Sequence, residues 1–86
     1  MSVIVIDLNS FSLGYDVYHY KNDKADKYHC SNLDDIATFV PEFCFSHNVP
    51  KVLISGIPEM AHELATKIYR VNTAEYANKS LEIEVI

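Results

Sequence analysis

The stretch that decides the fold is VIVIDLNSFSLGYDVYHY, residues 3–20. It opens with a continuous apolar, β-branched run that ends in a single acid, Asp7, and such a run predicts a strand covered on both faces. A short turn over residues 9–13 follows, and Gly14 begins a second strand, rich in Tyr and Val, that extends to about Tyr20. The stretch therefore predicts a strand, a turn and a second strand, with a lone carboxylate at the tip of the first.

Five strands and two helices follow from hydrophobic spacing and from turn residues along the whole chain. The predicted strands cover residues 2–8, 14–20, 27–30, 51–57 and 81–86, and the predicted helices cover residues 33–47 and 58–71, the second resuming over 73–77. This order, β-β-β-α-β-α-β, predicts one α/β domain over residues 1–86. Because strand-helix-strand units close right-handed and pair their strands in parallel, the product is a mixed five-stranded sheet with a three-stranded antiparallel part.

Local signals refine several boundaries of these elements. The polar residues 21–26 predict a hairpin loop, and Ser31 and Asn32 are suitable N-caps for the first helix. Pro41 removes a hydrogen bond inside that helix, at a cost of ~3 kcal/mol, and predicts either a kink or a division into two short segments. Thr73 is a candidate N-cap for the resumed part of the second helix.

The composition argues against several classes of function. The chain has 86 residues, a formal net charge of -5 at pH 7 and only seven Lys and Arg, which are spread along the sequence. General binding of DNA or RNA requires clustered basic residues, so we expect no direct nucleic-acid contact and instead a protein partner or self-association. No apolar run approaches the ~18 residues of a membrane span, and the start lacks the positive flank of a signal peptide. We therefore expect a cytoplasmic protein without a membrane contact.

The two cysteines, Cys30 and Cys44, follow no recognisable disulfide or zinc spacing. We expect both thiols to be free in the core and the four histidines to lie at the surface. Cys44 and His47 are three residues apart on the first helix, but a nucleophilic pair also needs an orienting group and an oxyanion donor. The sequence identifies neither of these, so it does not predict cysteine chemistry.

Two short stretches carry a resemblance to a known family. They are VIVIDLNSFSLGYDVY, in which a strand ending in Asp precedes a loop and a Gly-led second strand, and KVLISGIPE, residues 51–59, in which a strand precedes Gly-x-Pro. Together with the element order, they resemble the ribonuclease H-like superfamily, which includes RuvC-like nucleases and actin-like ATPase domains. In the nuclease branch the acid of the first strand binds Mg²⁺ or Mn²⁺, and a carboxylate at the end of the fourth strand assists. The resemblance therefore implies Asp7 and Glu59 as candidate metal-binding and catalytic residues.

The sequence departs from both branches of that family. The actin-like branch has Asp-x-Gly where this sequence has Asp7-Leu8-Asn9, and the nuclease branch has a further acid on a helix after the fifth strand, where this sequence ends at Ile86. A two-metal site needs several carboxylates that hold two ions ~4 Å apart. The favoured interpretation of Asp7 is therefore a turn cap, in which the carboxylate accepts an Asx-type bond from the turn that follows it.

Tyrosines and acids predict an interaction surface. Alternation along the second strand places Tyr18 and Tyr20 on one face, where they either cover the sheet beneath the helices or form an exposed interface. Alternation along the last strand places Glu82 and Glu84 on one face, as at an edge strand or a partly hydrated face. These four residues are the candidate interface.

Three hypotheses for the function follow. The favoured one is a small non-enzymatic protein-interaction module, of the kind that a phage or mobile element uses as an accessory or inhibitor protein, without a cofactor. The second is a metal-dependent nuclease or phosphotransfer enzyme of the ribonuclease H-like type that uses Asp7 and Glu59 with Mg²⁺ or Mn²⁺. The third is a nucleotide-binding module in which Asn9, Ser10 and Gly14 hold phosphate.

Overall fold

A mixed β-sheet with two helices on one of its faces forms the fold. The computed structural model describes residues 2–9 and 14–86, so most of the predicted turn over residues 9–13 lies outside the described residues. The strands are β1 (Ser2–Asp7), β2 (Tyr15–Lys21), β3 (Lys24–Cys30), β4 (Lys51–Ser55) and β5 (Glu82–Val85). The helices are α1 (Leu33–His47) and α2 (Pro58–Val71), and a π-helical turn (Asn72–Tyr76) continues α2.

Strand β1 occupies the centre of the sheet. The strands lie in the order β3-β2-β1-β4-β5; β2 is antiparallel to β3 and β1, whereas β1, β4 and β5 are parallel. The prediction of a mixed five-stranded sheet is confirmed, and β5 is an edge strand, which is one of the two alternatives that its alternating glutamates indicate. Asp7 is the last residue of β1 and so lies at the C-terminal end of the central strand.

Both helices pack on the same face of the sheet. The connections β3-α1-β4 and β4-α2-β5 move in the same direction across the sheet, and right-handed crossovers therefore place both helices on one side. On β1 and β4, Ile4, Ile6, Val52 and Ile54 are fully buried, and the residues between them are only partly buried. The prediction that β1 is covered on both faces is wrong, because no helix in the described part of the chain packs on its second face, where Val3 and Val5 are only partly buried.

The hydrophobic core lies between the covered face and the two helices. Its largest fully buried helical side chains are Ile36, Val40, Pro41 and Cys44 from α1 and Leu64 and Ile68 from α2. Around them, partly buried aromatic rings extend the core toward β3, where Tyr28 packs against Phe39 at 5.2 Å and against Phe43 at 5.5 Å between ring centroids. The core therefore depends on residues from both halves of the sequence.

The hairpin between β2 and β3 is tighter than the sequence predicts. Lys21 pairs with Lys24, so the loop contains only Asn22 and Asp23, and Asn22 has the positive φ, 56°, that such two-residue turns favour. The predicted loop over residues 21–26 is wrong because β3 begins at Lys24. The first half of β3 is exposed on both faces, and such an edge strand has no hydrophobic alternation by which the sequence could reveal it.

Helix α1 is continuous through Pro41. Asn32 caps its start, where the side-chain Oδ1 accepts a hydrogen bond from the N–H of Asp35 at 2.9 Å, and Asn48 ends it in the left-handed conformation. The alternative of two short segments is wrong. Pro41 is fully buried, and its burial offsets the backbone hydrogen bond that a proline removes from a helix.

Helix α2 passes into the π-helical turn without a break. Pro58 occupies its first turn, and the turn that follows α2 ends at Ala77, which has a φ of 49°. Val71 has right-handed helical dihedral angles and the backbone stays helical beyond it. The predicted restart with Thr73 as an N-cap is therefore wrong, because there is no extended residue at which a new helix could begin.

The chain passes close to Leu8 immediately after β4. Gly56 has a φ of 134°, and a Cβ at this position would lie 2.6 Å from the Cβ of Leu8. Leu8 is held in place because its N–H donates to the carbonyl oxygen of Ser55 at 2.8 Å and its side chain is buried. Both the backbone conformation and the available space therefore require glycine at position 56.

Replacing Gly56 with alanine should destabilise the fold. We expect Gly56→Ala to lower the free energy of unfolding by ~2 kcal/mol or more, measured by urea denaturation, because the new methyl group meets Leu8 in a strained backbone conformation. The opposite type of change at another position, Ala77→Gly, removes the strain of an alanine in the left-handed backbone conformation. It should raise the free energy of unfolding by up to ~1 kcal/mol. An unchanged midpoint for Gly56→Ala would contradict the close approach to Leu8.

Candidate functional site

Asp7 turns its carboxylate onto the loop that follows β1. Its Oδ1 accepts a hydrogen bond from the N–H of Asn9 at 2.8 Å, and this contact is an Asx-type turn. The turn cap that the sequence favours is therefore present at Asn9. Because the acceptor is a carboxylate, this hydrogen bond is stronger than one between neutral groups. It fixes the backbone at Asn9, where the chain leaves the central strand.

Polar side chains flank Asp7 on the same row of the sheet. Asp16 is its partner on β2, His29 is the partner of Asp16 on β3, and Ser55 is the partner of Asp7 on β4. The Oδ1 of Asp16 lies 3.2 Å from Nδ1 of His29, and its Oδ2 lies 3.7 Å from Nζ of Lys27. Within the described part of the chain, no three His, Cys, Asp or Glu side chains come together closely enough to hold a metal ion.

The other candidates for metal or phosphate binding have structural roles where the structure describes them. Glu59 is exposed in the first turn of α2, where its charge suits the positive end of the helix dipole. Asn9 is exposed, and its N–H already donates to a carboxylate. Gly14 has a φ of 103°, and a Cβ there would lie 2.5 Å from the carbonyl oxygen of Cys30, so the close approach to β3 requires glycine. Ser10 lies outside the described residues.

The face of the sheet opposite the helices, called the open face below, carries an apolar strip. The strip consists of Val3, Val5, Tyr18, Tyr20 and Leu53, which alternate with buried residues on their strands. The rings of Tyr18 and Tyr20 are stacked with centroids 6.1 Å apart, and 42% of Tyr20 is exposed. A contiguous apolar strip at a protein surface is typical of an interaction site.

The strand register arranges the open face in rows. One row crosses the five strands as Lys27, Tyr18, Val5, Leu53 and Glu84. The adjacent row on the same face lies two residues along each strand and consists of Ala25, Tyr20, Val3, Lys51 and Glu82. Both rows have an apolar middle and an acid at the β5 edge, and the first also has a base at the β3 edge.

All four residues of the candidate interface lie on the open face. The structure places Tyr18 and Tyr20, on β2, on the same face as Glu82 and Glu84, on β5, whereas the sequence could place them only strand by strand. Nζ of Lys51 lies 3.0 Å from Oε2 of Glu84, and this hydrogen bond raises the pKa of Lys51. The open face therefore combines an apolar centre with charged edges, as protein interfaces do.

A depression lies on the β4 side of the open face. Its volume is about 520 Å³, and its walls include Val3, Lys51, Leu53 and Glu82. Tyr20 lies on the opposite side of the same row, on β2, with its ring stacked on that of Tyr18. The open face thus has an exposed aromatic ring on one side of β1 and a hollow on the other.

A second concave region lies between α2, the π-helical turn and β5. This cleft has a volume of about 530 Å³, and its walls include Tyr69, Asn72, Leu81 and Ile83. Asn72 is buried; its Nδ2 donates to the carbonyl oxygen of Asn78 at 3.0 Å, and its Oδ1 has no partner within the described residues. The amide ties the π-helical turn to the approach of β5. Sequence reasoning misses this role because an asparagine after a helix is typical of an exposed terminus.

His19 is buried on the covered face, so the prediction of a surface histidine is wrong for this residue. It lies on β2 between Ser2 and α1: its Nε2 is 2.7 Å from Oγ of Ser2, and its ring meets Phe43 edge-on at 4.9 Å between centroids. Burial lowers its pKa below 6.5, with lesser contributions from Asp26, which raises the pKa, and from His47 and Lys21, which lower it. Strand alternation with Val17 was the signal that could have placed it in the core.

The burial of His19 should make stability depend on pH. Below pH 6.5 the unfolded chain takes up a proton at this residue before the folded chain does, so the free energy of unfolding should decrease as the pH falls. Thermal denaturation between pH 7.5 and pH 5 should show this decrease for the wild type and a shallower one for His19→Gln. The control is His62→Gln at an exposed position of α2, which should keep the wild-type slope. Equal slopes for His19→Gln and the wild type would refute the assignment.

The two cysteines are free and buried, as the sequence predicts. Burial raises the pKa of Cys44 to about 12, and burial followed by the nearby charge of Asp35 raises the pKa of Cys30. The thiolate is the form that attacks electrophiles and binds metals. Raised pKa values therefore favour packing roles for both thiols over a nucleophilic or zinc-binding role.

Both native thiols should react slowly with iodoacetamide at pH 8. With a pKa of about 12, only roughly one Cys44 thiol in ten thousand is ionised at that pH, and the core also blocks access. Mass spectrometry should find both cysteines unmodified in buffer and rapidly alkylated in urea. Ser46→Cys places a thiol on an exposed position of the same helix as a control. Alkylation of Cys44 as fast as that control thiol would be inconsistent with its burial.

Comparisons with protein families, with curated proteins and with solved structures find no match to this chain. Among the described residues, no helix has the length and apolar character needed to cross a membrane. A function is therefore inferred from the physical features of the open face, the Asp7 turn and the cleft.

Proposed function

We propose that this chain is a small protein-interaction module that binds through the open face of its sheet. The observation that carries the proposal is the coverage of the sheet: both helices pack on one face, and the other presents an apolar strip with two tyrosines. Burying apolar surface contributes ~25 cal/mol per Å², so covering this strip with a partner is favourable.

The chemistry of the open face suits a protein partner. Tyrosine is enriched at protein interfaces because its ring supplies apolar area and its hydroxyl stays able to form hydrogen bonds. Charged side chains at the two edges, Lys27 on β3 and Glu82 and Glu84 on β5, can set the orientation of the partner. The net charge of -5 disfavours nucleic acid as that partner.

We further propose a ribonuclease H-like scaffold without catalytic activity, as in a phage or mobile-element accessory or inhibitor protein in the cytoplasm. The element order β-β-β-α-β-α-β, on which the resemblance rests, supports the scaffold. The Asx turn at Asp7 and the helix-start position of Glu59 support structural roles for the two acids that a nuclease would use.

Site-specific photo-crosslinking tests the interaction surface. A benzoylphenylalanine at position 20 replaces one aromatic residue with another on the open face, and the same replacement of Tyr69 on α2 is the matched control. Tyr69 is the more exposed of the two, at 62% against 42%, so random collisions would favour the control. We expect covalent adducts in cells from position 20 and few from position 69. Adducts of equal yield from both positions, or none from position 20, would remove the basis of the proposal.

A further inference from the structure

We propose that the partner of the open face is a second copy of this chain, packed face to face about a two-fold axis parallel to β1. This inference rests on the proposed function of the open face and names its partner. The axis follows from the distribution of charge and shape along the rows of the sheet, and the two copies would form a two-layer sandwich of sheets ~10 Å apart.

Charge complementarity selects this axis. The row through Val5 has Lys27 at the β3 edge and Glu84 at the β5 edge. A two-fold axis that runs along β1 exchanges the two edges, so Lys27 of each copy faces Glu84 of the other. An axis perpendicular to the strands that passes through this row would instead place Lys27 over Lys27 and Glu84 over Glu84, and one midway between the two rows would place Glu84 over Glu82. Like charges in contact are unfavourable, and the parallel axis is therefore preferred.

Shape complementarity selects the same axis. Exchange of the two edges places Tyr20 of one copy, on the β2 side, over Lys51 of the other copy, on the β4 side. The depression of about 520 Å³ lies at that point, with Val3, Lys51 and Leu53 in its walls. The exposed ring of Tyr20 thus enters the hollow of the second copy, where a lysine beside the ring adds a cation–π contact.

The apolar centre of the interface is self-complementary. Val5 lies on the axis and meets Val5 of the second copy, and Tyr18 meets Leu53. The row that contains Asp7 and Asp16 lies at the rim, where water screens the two facing Asp7 side chains. Such an arrangement, with apolar residues central and acids peripheral, has the anatomy of a stable interface.

The area of the open face limits the strength of this dimer. Five strands ~4.8 Å apart and ~20 Å long cover roughly 500 Å² per copy, and standard interfaces bury ~800 Å² per partner. We therefore expect a reversible dimer with a dissociation constant in the micromolar range, which sedimentation equilibrium measures directly.

Charge reversal tests the axis. Lys27→Glu and Glu84→Lys lie at exposed edges, and each should weaken dimerisation by about tenfold at low ionic strength, because each reverses two contacts per dimer. Mixing the two variants should restore most of the lost affinity, since the glutamate introduced at position 27 of one copy then faces the lysine introduced at position 84 of the other. The ion pairs of Lys27 with Asp16 and of Lys51 with Glu84 within each copy are not restored by mixing. The double variant should dimerise with itself for the same reason.

Two control variants lie outside the open face. Lys79→Glu and Glu63→Lys make the same changes in net charge and should leave the dissociation constant unchanged.

Truncation of the exposed Tyr20 ring tests its fit to the hollow. Tyr20→Ala should weaken dimerisation by tenfold or more, as expected for a central aromatic residue, whereas Tyr69→Ala on α2 should have no effect. Circular dichroism of each variant is the control for folding.

The results separate this inference from the proposed function. A wild-type chain that stays monomeric to millimolar concentration would overturn the dimer, and crosslinked adducts of another mass from position 20 would then leave the interaction module intact. Single variants that dimerise as the wild type does, or a mixture that fails to restore the dimer, would overturn the face-to-face arrangement. Crosslinked adducts with twice the mass of the chain, together with restoration on mixing, establish it.

Discussion

The right-handed crossover is the constraint on which the rest of this structure depends. Both strand-helix-strand connections cross the sheet in the same direction, so both helices must lie on the same side. Among residues 2–9 and 14–86, the core therefore forms on that side, and β1, although central, buries only alternate residues beneath the helices. Because both helices lie on one side, the open face has no helix packed on it. Its apolar strip is the feature on which the proposed function rests.

Polar residues in this fold mainly serve the backbone and the packing. Asp7 accepts a bond from the loop after β1, Asn72 ties the π-helical turn to the chain before β5, and His19 fills the space between β2 and α1. Each of these residue types also occurs in catalytic sites. Here Asp7 and His19 have polar partners within the fold, as does Nδ2 of Asn72, and the proposed function therefore rests on surface shape and charge.

Much of the fold could be predicted from the sequence, for identifiable reasons. The apolar runs of β1 and β4 and the stripes of α1 and α2 gave strong periodic signals, and Asn32 marked a helix start correctly. The first half of β3 was missed because an exposed strand has no periodicity. Of the two alternatives for Pro41, the division of the helix is wrong, because the gain from burying this residue depends on neighbours that are distant in sequence.

The sequence by itself determined the element types, the mixed sheet and the alternation of residues on each strand, because these follow from local periodicity and from the geometry of short connections. Tertiary structure decided which strands are neighbours and which face the helices cover, since both depend on pairing between distant segments. Only that pairing places Tyr18, Tyr20, Glu82 and Glu84 on one surface. It also places Lys27 and Glu84 at opposite edges of that surface. The candidate interface is therefore a product of register and coverage, which no single stretch of the sequence contains.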